Sequence, residues 1–348
     1  MDDQRHARLE RLFGRRVTAR SRVPGERGPS GGPAHTDVVG RIVALDATTV
    51  VIERRDGTEA RLVTADLVAL KEVPDGPARR RTRPARDHSP EQLARICTHG
   101  WPPLVAEPLG DWTLRAAGGF TGRANSVAVH GDPGVGFTAA LAAVEDFYRS
   151  HGLPPRAQVI DDTPAARAFA EAGWTGIGGT HDHAVVQVAD AATVLAAASA
   201  PGAGGPDRTT GAAPELDGGL DDAWLALLER DLDAYPREAV EHVVASPRTL
   251  ALARVGTAGS RDGALDAITR MVVTGEWAGL SCVSVRPEAR RSGLASLLLE
   301  ECTRWAVERG ADKVYLQTML HNAPALSLYA RYGFVTHHTY RYLAPPNR

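Results

Sequence analysis

The sequence predicts an α/β protein with a mixed sheet, built as two similar units behind a small β-barrel. Three observations point there. Strand-like runs crowd into residues 1–73, and helices alternate with strands from residue 90 onward. One stretch also recurs: Asp162-Thr163-Pro164-Ala165-Ala166-Arg167-Ala168-Phe169-Ala170-Glu171-Ala172-Gly173-Trp174 parallels Asn322-Ala323-Pro324-Ala325-Leu326-Ser327-Leu328-Tyr329-Ala330-Arg331-Tyr332-Gly333-Phe334. Upstream, Val127-Ala128-Val129 parallels Val283-Ser284-Val285, and Gly136 falls near the place of Gly293. The expected domains are a barrel over residues 1–73, a linker over 74–89, a degenerate first unit over 90–195, a flexible connector over 196–214 and a catalytic second unit over 215–348.

After a short helical lead (residues 7–13), strands are expected at residues 17–20, 37–45, 49–54 and 60–63, with Asp56-Gly57 as a hairpin signal. Several short strands in so little chain suggest an SH3-like barrel. Residues 24–33, rich in Gly and Pro, read as a long mobile loop. The barrel shows no aromatic stacking surface, so docking or structural support is preferred over nucleic-acid binding. Arg79-Arg80-Arg81-Thr82-Arg83 reads as a solvated tether more readily than as a phosphate-binding arm.

The first unit opens at Ser89, with Pro90 at the first helical position and Gln92 three residues on, a capped helix start. Strands follow at residues 112–115, 126–129, 157–160 and 183–188, with helices over 137–149 and 164–172. Gly134-x-Gly136-x-x-Ala139 imitates a dinucleotide fingerprint, but Asp132-Pro133 intervenes in the turn and no doubly wound sheet follows. In the second unit, helices are expected over 221–233 and 237–245, and strands over 250–255, 267–273, 277–285 and 314–318. A helix carrying Tyr329 and a last strand near 339–343 complete it.

Composition sets the bounds. Apolar residues are 43% and charged residues 24% of 348, ordinary for a soluble globular chain. A formal net charge of -2 exerts no global pull toward nucleic acid or anionic membrane. Cys97, Cys282 and Cys302 form no CxxC pair, which fits reduced thiols in a cytoplasm. The first residues lack a signal peptide's apolar core, and no run reaches the roughly 18 apolar residues of a membrane span. No metal is expected: His181 and His183 alternate across a strand, and His337-His338 stands alone.

The chemistry concentrates at Val283-Ser284-Val285-Arg286-Pro287-Glu288-Ala289-Arg290-Arg291-Ser292-Gly293-Leu294-Ala295. It reads as strand, loop and helix start. The helix continues through apolar Leu297, Leu298, Cys302 and Trp305, with Glu300, Glu301, Arg304 and Glu308 on its other face. A helix start presents free N–H groups and about half a positive charge, Gly293 allows close approach, and two arginines add charge. The loop is a pyrophosphate cradle.

Arg290-x-x-Gly293-x-Ala295 after a Val-x-Val strand, followed by the Asn322 to Phe334 segment, resembles the GNAT acetyltransferase superfamily. The barrel and tandem units, with Gly118-Gly119-Phe120-Thr121-Gly122-Arg123-Ala124-Asn125-Ser126, resemble an actinobacterial subgroup described as N-acetylglutamate synthases. The resemblance implies acetyl-CoA as co-substrate, with its pyrophosphate on the N–H groups of Arg291, Ser292, Gly293, Leu294, Ala295 and Ser296. Its pantetheine arm would pair with Val283, Ser284 and Val285, whose N–H groups could also polarise the thioester carbonyl.

The same resemblance makes Tyr329 the acid for the departing thiolate, and Asn322 an aid to orienting the cofactor or a helix cap. Glu276, a water chain or His321 would take the amine's proton. Arg123 and Asn125 would hold the carboxylate of a small amine acceptor, glutamate in particular, or take part in a structural salt bridge. The first unit lacks the arginine pair and carries Phe169 in place of Tyr329, so it reads as structural or substrate-shaping. Alternatives are a protein, aminoglycoside or other small-amine acetyltransferase, a non-catalytic acyl-CoA sensor, and a nucleic-acid binder, the last opposed by the net charge.

Overall fold

The computed structural model describes residues 9, 12–27, 32–46, 48–54, 57–73, 83–199, 213–228, 231–256 and 264–346. The arginine run Arg79 to Thr82 and most of the connector and helical lead lie outside these. The chain divides into two compact units, Met1–Thr82 and Arg83–Arg348.

In the first unit, β1 (Arg16–Arg27), β2 (Pro33–Leu45), β3 (Thr49–Glu53), β4 (Glu59–Val63) and β5 (Leu67–Glu72) pair antiparallel in the order β4-β3-β2-β1-β5. Val17, Ala19, Val50, Ile52, Ala60 and Leu62 alternate inward to a common core, as half-buried strands require. No pairing between β4 and β5 closes the sheet among the described residues, so a barrel is not shown. The strands also run further into residues 24–33 than expected. Rungs hold to Arg22↔His35 and resume at Arg27↔Pro33, and Pro24 falls in the irregularity between them, where its missing N–H breaks no rung.

The second unit opens with α1 (Pro90–Gly100), whose capping box is complete: Gln92 N donates to Ser89 Oγ at 3.2 Å and Ser89 N to Gln92 Oε1 at 3.4 Å. There follow β6 (Val105–Leu109), β7 (Trp112–Ala116), β8 (Val127–Ala128), α2 (Phe137–Ser150), β9 (Ala157–Ile160), α3 (Pro164–Glu171), β10 (Thr175–Gly176), β11 (His183–Asp190) and α4 (Ala191–Ala198). Then come α5 (Asp222–Ala226), α6 (Arg237–Ala245), β12 (Leu250–Gly256), β13 (Leu265–Thr274), β14 (Trp277–Val285), α7 (Leu294–Glu308), β15 (Lys313–Met319), α8 (Ala323–Arg331) and β16 (Val335–Ala344). Helix α5 is shorter than the amphipathic run of 221–233 suggested, and α4 was not expected at all.

One sheet runs through both repeats in the order β12-β13-β14-β15-β11-β16-β9-β8-β7-β6, with β10 beside β16. Among the described strands, only β14/β15 and β8/β9 pair parallel; both precede a repeat's last helix and strand. The last strands are exchanged. β11 comes from the first repeat yet pairs with β15 of the second, and β16 comes from the second yet pairs with β9 of the first. Six consecutive buried residues, Ala184 to Ala189, suit β11 to the sheet centre. Helices α4, α7 and α8 cover one face around Leu280, Leu316 and Tyr329. Helices α5 and α6 close the other face around Trp101, Trp224 and Ile268.

Candidate active site

The cleft begins where two parallel strands part. β14 pairs with β15 from Trp277↔Lys313 to Leu280↔Leu316 and no further, although β14 continues to Val285. A bulge accompanies the parting. On the β13 side, Arg270 faces Ser281 while Ile268 faces Ser284, so β14 carries an extra residue, and Cys282 takes φ +55°. Beyond the bulge Val283 and Val285 join the core that contains Tyr329. No strand covers their β15-side edge among the described residues, leaving open backbone for an extended ligand arm.

The cradle follows directly. Leu297 N bonds to Gly293 O at 3.0 Å, but the N–H groups of Arg291 through Ser296 have no backbone acceptor among the described residues. Arg291 at φ +66° and Gly293 at φ +85° turn the chain sharply into α7, which gathers those donors at one point. Arg290 Nε reaches back to Val285 O at 3.1 Å, and Ser292 Oγ donates to Ala289 O at 2.5 Å, fixing the loop to the strand end. The exposed guanidinium of Arg291 adds positive charge. Orphaned donors, an open strand edge and cationic side chains fit a pyrophosphate with an extended arm.

Tyr329 projects from α8 into the core beside this opening and is 6% exposed. Burial alone pushes its phenol well above the ordinary range, so the proton stays on. Its ring packs on Phe334 at 5.6 Å between centroids, and its hydroxyl bonds to no described residue. Asn322 caps α8 through Ala325 N (3.3 Å), and its Nδ2 donates to Thr318 Oγ1 at 3.2 Å, tying the helix start to β15 just past the parting. Tyr332 donates to Glu300 Oε1 at 2.8 Å, joining α8 to α7.

Other expected residues lie elsewhere. Glu276 sits in the turn before β14, at the end remote from the cradle: Asp312 N and Lys313 N donate to its carbonyl, and Lys313 Nζ is 3.2 Å from its carboxylate. α7 spans that interval at about 1.5 Å per residue, so Glu276 is roughly 20 Å from the helix start. It is an ion-pair partner for buried Lys313, not a base at the cleft. His321 is exposed in the turn after β15.

Asn125 is fully engaged. It accepts from Ala117 N (2.8 Å) and Gly119 N (2.9 Å) and donates to Phe120 O (2.8 Å) and Thr121 O (2.9 Å). All four of an amide's bonds are used, so it holds the loop and leaves nothing for a carboxylate. Arg123, two residues earlier, stacks its guanidinium 4.4 Å from the Trp101 ring centroid. Reading the sequence missed Trp101 and Arg270; the available signal was a lone arginine amid Ala267-Ile268-Thr269-Arg270-Met271-Val272.

The matching place in the first repeat is closed. Gly110 of the β6–β7 turn abuts the Pro133-Gly134 backbone, where an added Cβ would lie 2.2 Å from Pro133 C. Asp132 fills the turn, accepting from Gly134 N at 2.6 Å, and places a carboxylate where the second repeat offers arginines. Phe169 is wholly buried on Trp112.

Residues 91–343 match the family model described as "Probable histone acetyltransferase Rv0428c C-terminal". The chain is 29% identical over 340 residues to "Probable histone acetyltransferase Rv0428c" of Mycobacterium tuberculosis (strain ATCC 25618 / H37Rv), covering 95% of each. It is 25% identical over 270 residues to "Uncharacterized N-acetyltransferase YobR" of Bacillus subtilis (strain 168), covering 72% of this chain and 97% of that one. Among solved structures, the GCN5-related N-acetyltransferase from Kribbella flavida matches with TM-score 0.53 at 18% identity, over 74% of this chain and 96% of the other. A tandem GNAT protein from the clavulanic acid biosynthesis pathway matches with TM-score 0.50 at 17% identity, over 72% of this chain and 86% of the other. These likenesses between structures concern the fold.

Proposed function

The chain belongs to the Rv0428c C-terminal family and is a GNAT-type N-acetyltransferase, and from that premise we propose that it carries an acetyl group from acetyl-CoA to a small primary amine by direct attack. The observation that carries this is the conjunction at the parting of β14 and β15: orphaned N–H groups at α7, an open edge at Val283 to Val285, and a buried, protonated Tyr329 in the same core. Arg290, Arg291 and the N–H groups up to Ser296 receive the pyrophosphate. The open edge of β14 takes the pantetheine arm, and an N–H near the bulge polarises the thioester carbonyl.

The neutral amine attacks the carbonyl carbon, the C–S bond breaks, and Tyr329 supplies the proton that the thiolate takes up. The amine's own proton leaves to water, since Glu276 is at the far end of the strand. The α-amine of glutamate is the acceptor that the sequence resemblance implies. The mycobacterial relative's name would put a histone in that place. For the five-stranded sheet of residues 16–72, with its 3₁₀ turn at Thr64–Asp66 before β5, the reading kept is an SH3-like module.

The test is thiol release from acetyl-CoA against a panel of amines including glutamate, with wild type beside Tyr329→Phe. Turnover that slows sharply in the variant supports the transfer and the acid. Turnover unchanged in the variant removes Tyr329 from the mechanism. Retained acetyl-CoA binding with no acceptor used by wild type overturns the transfer in favour of a sensor.

A further inference from the structure

The slot between β14 and β15 has two faces, and Tyr329 stands on one of them. Val314 and Leu316 of β15 join the core that holds Tyr329. Tyr315 and Met319 of the same strand join the opposite core, with Trp277 of β14 and with Leu93 and Cys97 of α1. Side chains alternate along a strand, so Gln317 projects to this second face. There Tyr315 seals the slot below the parting: a Cβ added at Gly279 of β14 would lie 2.4 Å from the Tyr315 hydroxyl, and one at Gly100 would lie 2.0 Å from it. Gln317 is the next β15 residue on that face, one step beyond the last β14–β15 rung at Leu280↔Leu316. It borders the opening from the strand across from Val283 to Val285.

Its carboxamide oxygen is an acceptor without a donor. Among the described residues two buried side-chain oxygens lack a hydrogen-bond partner, those of Gln187 and Gln317. Both flank Leu316: Gln187 is its cross-strand neighbour on β11, and Gln317 follows it in the chain. Gln187 shares the face of Leu316 and is enclosed, 6% exposed. Gln317 is half-buried at the parting. Across the slot the acceptors of Ser281 are in use, its hydroxyl by Arg270 Nη1 at 3.3 Å and its carbonyl by Thr269 Oγ1 at 3.1 Å. A buried carbonyl oxygen ordinarily finds a donor, because leaving it unmet costs stability. One that stays unmet beside an opening suits an N–H group of a ligand, and acetyl transfer brings one in the acceptor amine.

We propose that Gln317 is a catalytic residue that holds the acceptor amine, its Oε1 accepting an N–H while the nitrogen lone pair faces the thioester carbon. This rests on the acetyl-transfer reading and adds the group that orients the nucleophile. Amine and acid then reach the thioester from opposite faces of the sheet, Gln317 on one and Tyr329 on the other. The lone pair forms the N–C bond, the C–S pair leaves with sulfur, and Tyr329 protonates the thiolate. As the bond forms, the nitrogen becomes positive, and its N–H donates more strongly to the amide oxygen than before. The contact is worth more in the transition state than in the ground state, which is the condition for raising kcat. A carboxamide takes no proton near neutral pH, so the amine must arrive neutral and its displaced proton passes to water.

The experiment measures kcat and each KM on the full chain for wild type, Gln317→Leu and Gln317→Glu, with glutamate, a lysine-bearing peptide, benzylamine and hydrazine as acceptors. Gln317→Leu should lower kcat/KM for the amines by about 10–100-fold, as loss of a hydrogen bond to a charged group implies, and leave the KM for acetyl-CoA unchanged. Because it removes an unpaired buried oxygen, its urea midpoint should equal or exceed that of wild type. Wild-type kcat/KM should climb with pH until the amine's own pKa is passed. Gln317→Glu puts a proton acceptor at the same place and should start that climb at lower pH. Amine kinetics in Gln317→Leu within about twofold of wild type would overturn the proposal, and so would a Gln317→Glu profile superimposed on the wild-type one. A lower midpoint with equal losses toward amine and acetyl-CoA would make Gln317 a structural residue and overturn it as well. Wild type that acetylates none of these amines would fail the acetyl-transfer reading itself and take this proposal with it, a result distinct from an active wild type with an indifferent Gln317→Leu.

Discussion

The acid proposed for the departing thiolate must still hold its proton, and burial keeps the Tyr329 phenol protonated by disfavouring phenolate. A positioned acid contributes about 10²–10⁴-fold, so Tyr329→Phe should lower kcat by that order. Because the hydroxyl bonds to no described residue, the thermal midpoint of the variant should stay within a degree or two of wild type, or rise slightly. A fall in both would point to a structural tyrosine. His130 illustrates the opposite use of burial. It is 4% exposed and brought down to about 3, first by desolvation and then by Arg115 and Arg95, with Asp111 opposing. Its folded value lies below the unfolded value of about 6.5, so its neutral form contributes stability above that pH. That contribution is lost as pH falls from about 6.5 toward 3. The urea midpoint should drop over this interval, and His130→Phe should flatten the drop; an unchanged slope would show that His130 titrates normally. These were not legible beforehand, since a histidine and a tyrosine read alike whether buried or exposed. Glu276 shows the reverse error: nearness in sequence to the cofactor strand suggested a base, but a strand separates its two ends by many ångströms.

The cradle was the most legible element, because every part of it is local. Strand, turn, glycine and amphipathic helix succeed one another within a single run, and their geometry follows from backbone preferences. Gly293 at φ +85° is the position where a side chain is least tolerated. Gly293→Ala should cost about 1–2 kcal/mol of stability and weaken acetyl-CoA binding by at least about tenfold, measured by calorimetry. Undiminished affinity in Gly293→Ala would mean the turn is not what gathers the donors. The bulge at Cys282 was not legible. No glycine marks it, and the residue takes positive φ only because β13 and the Trp101 core hold it there. The two-residue alternation of strand faces is therefore interrupted between Ser281 and Val283.

At the scale of the second compact unit, the exchange of β11 and β16 makes the two repeats one folding object. Each repeat completes the other's sheet. Residues 83–212 and 213–348 produced separately should each fail to unfold cooperatively, whereas residues 83–348 should give a single transition, and co-expression should restore a soluble pair. Independent cooperative folding of either half would show that the exchanged strands are dispensable. The first repeat supplies a central strand of the shared sheet, β11.

From the sequence alone followed what contiguous residues carry: the mixed α/β class, the acetyltransferase family, and the succession of strand, turn and helix start at Gly293. Periodicity, turn residues and helix starts act over a few residues and leave their marks in the chain. The tertiary structure alone decided the strand exchange, the parting at Leu280 and Leu316, the removal of Glu276 from the cleft and the engagement of Asn125. Sheet order and charge clustering are long-range outcomes, fixed by which apolar faces can be buried together and which charges can find partners, and no local pattern encodes them.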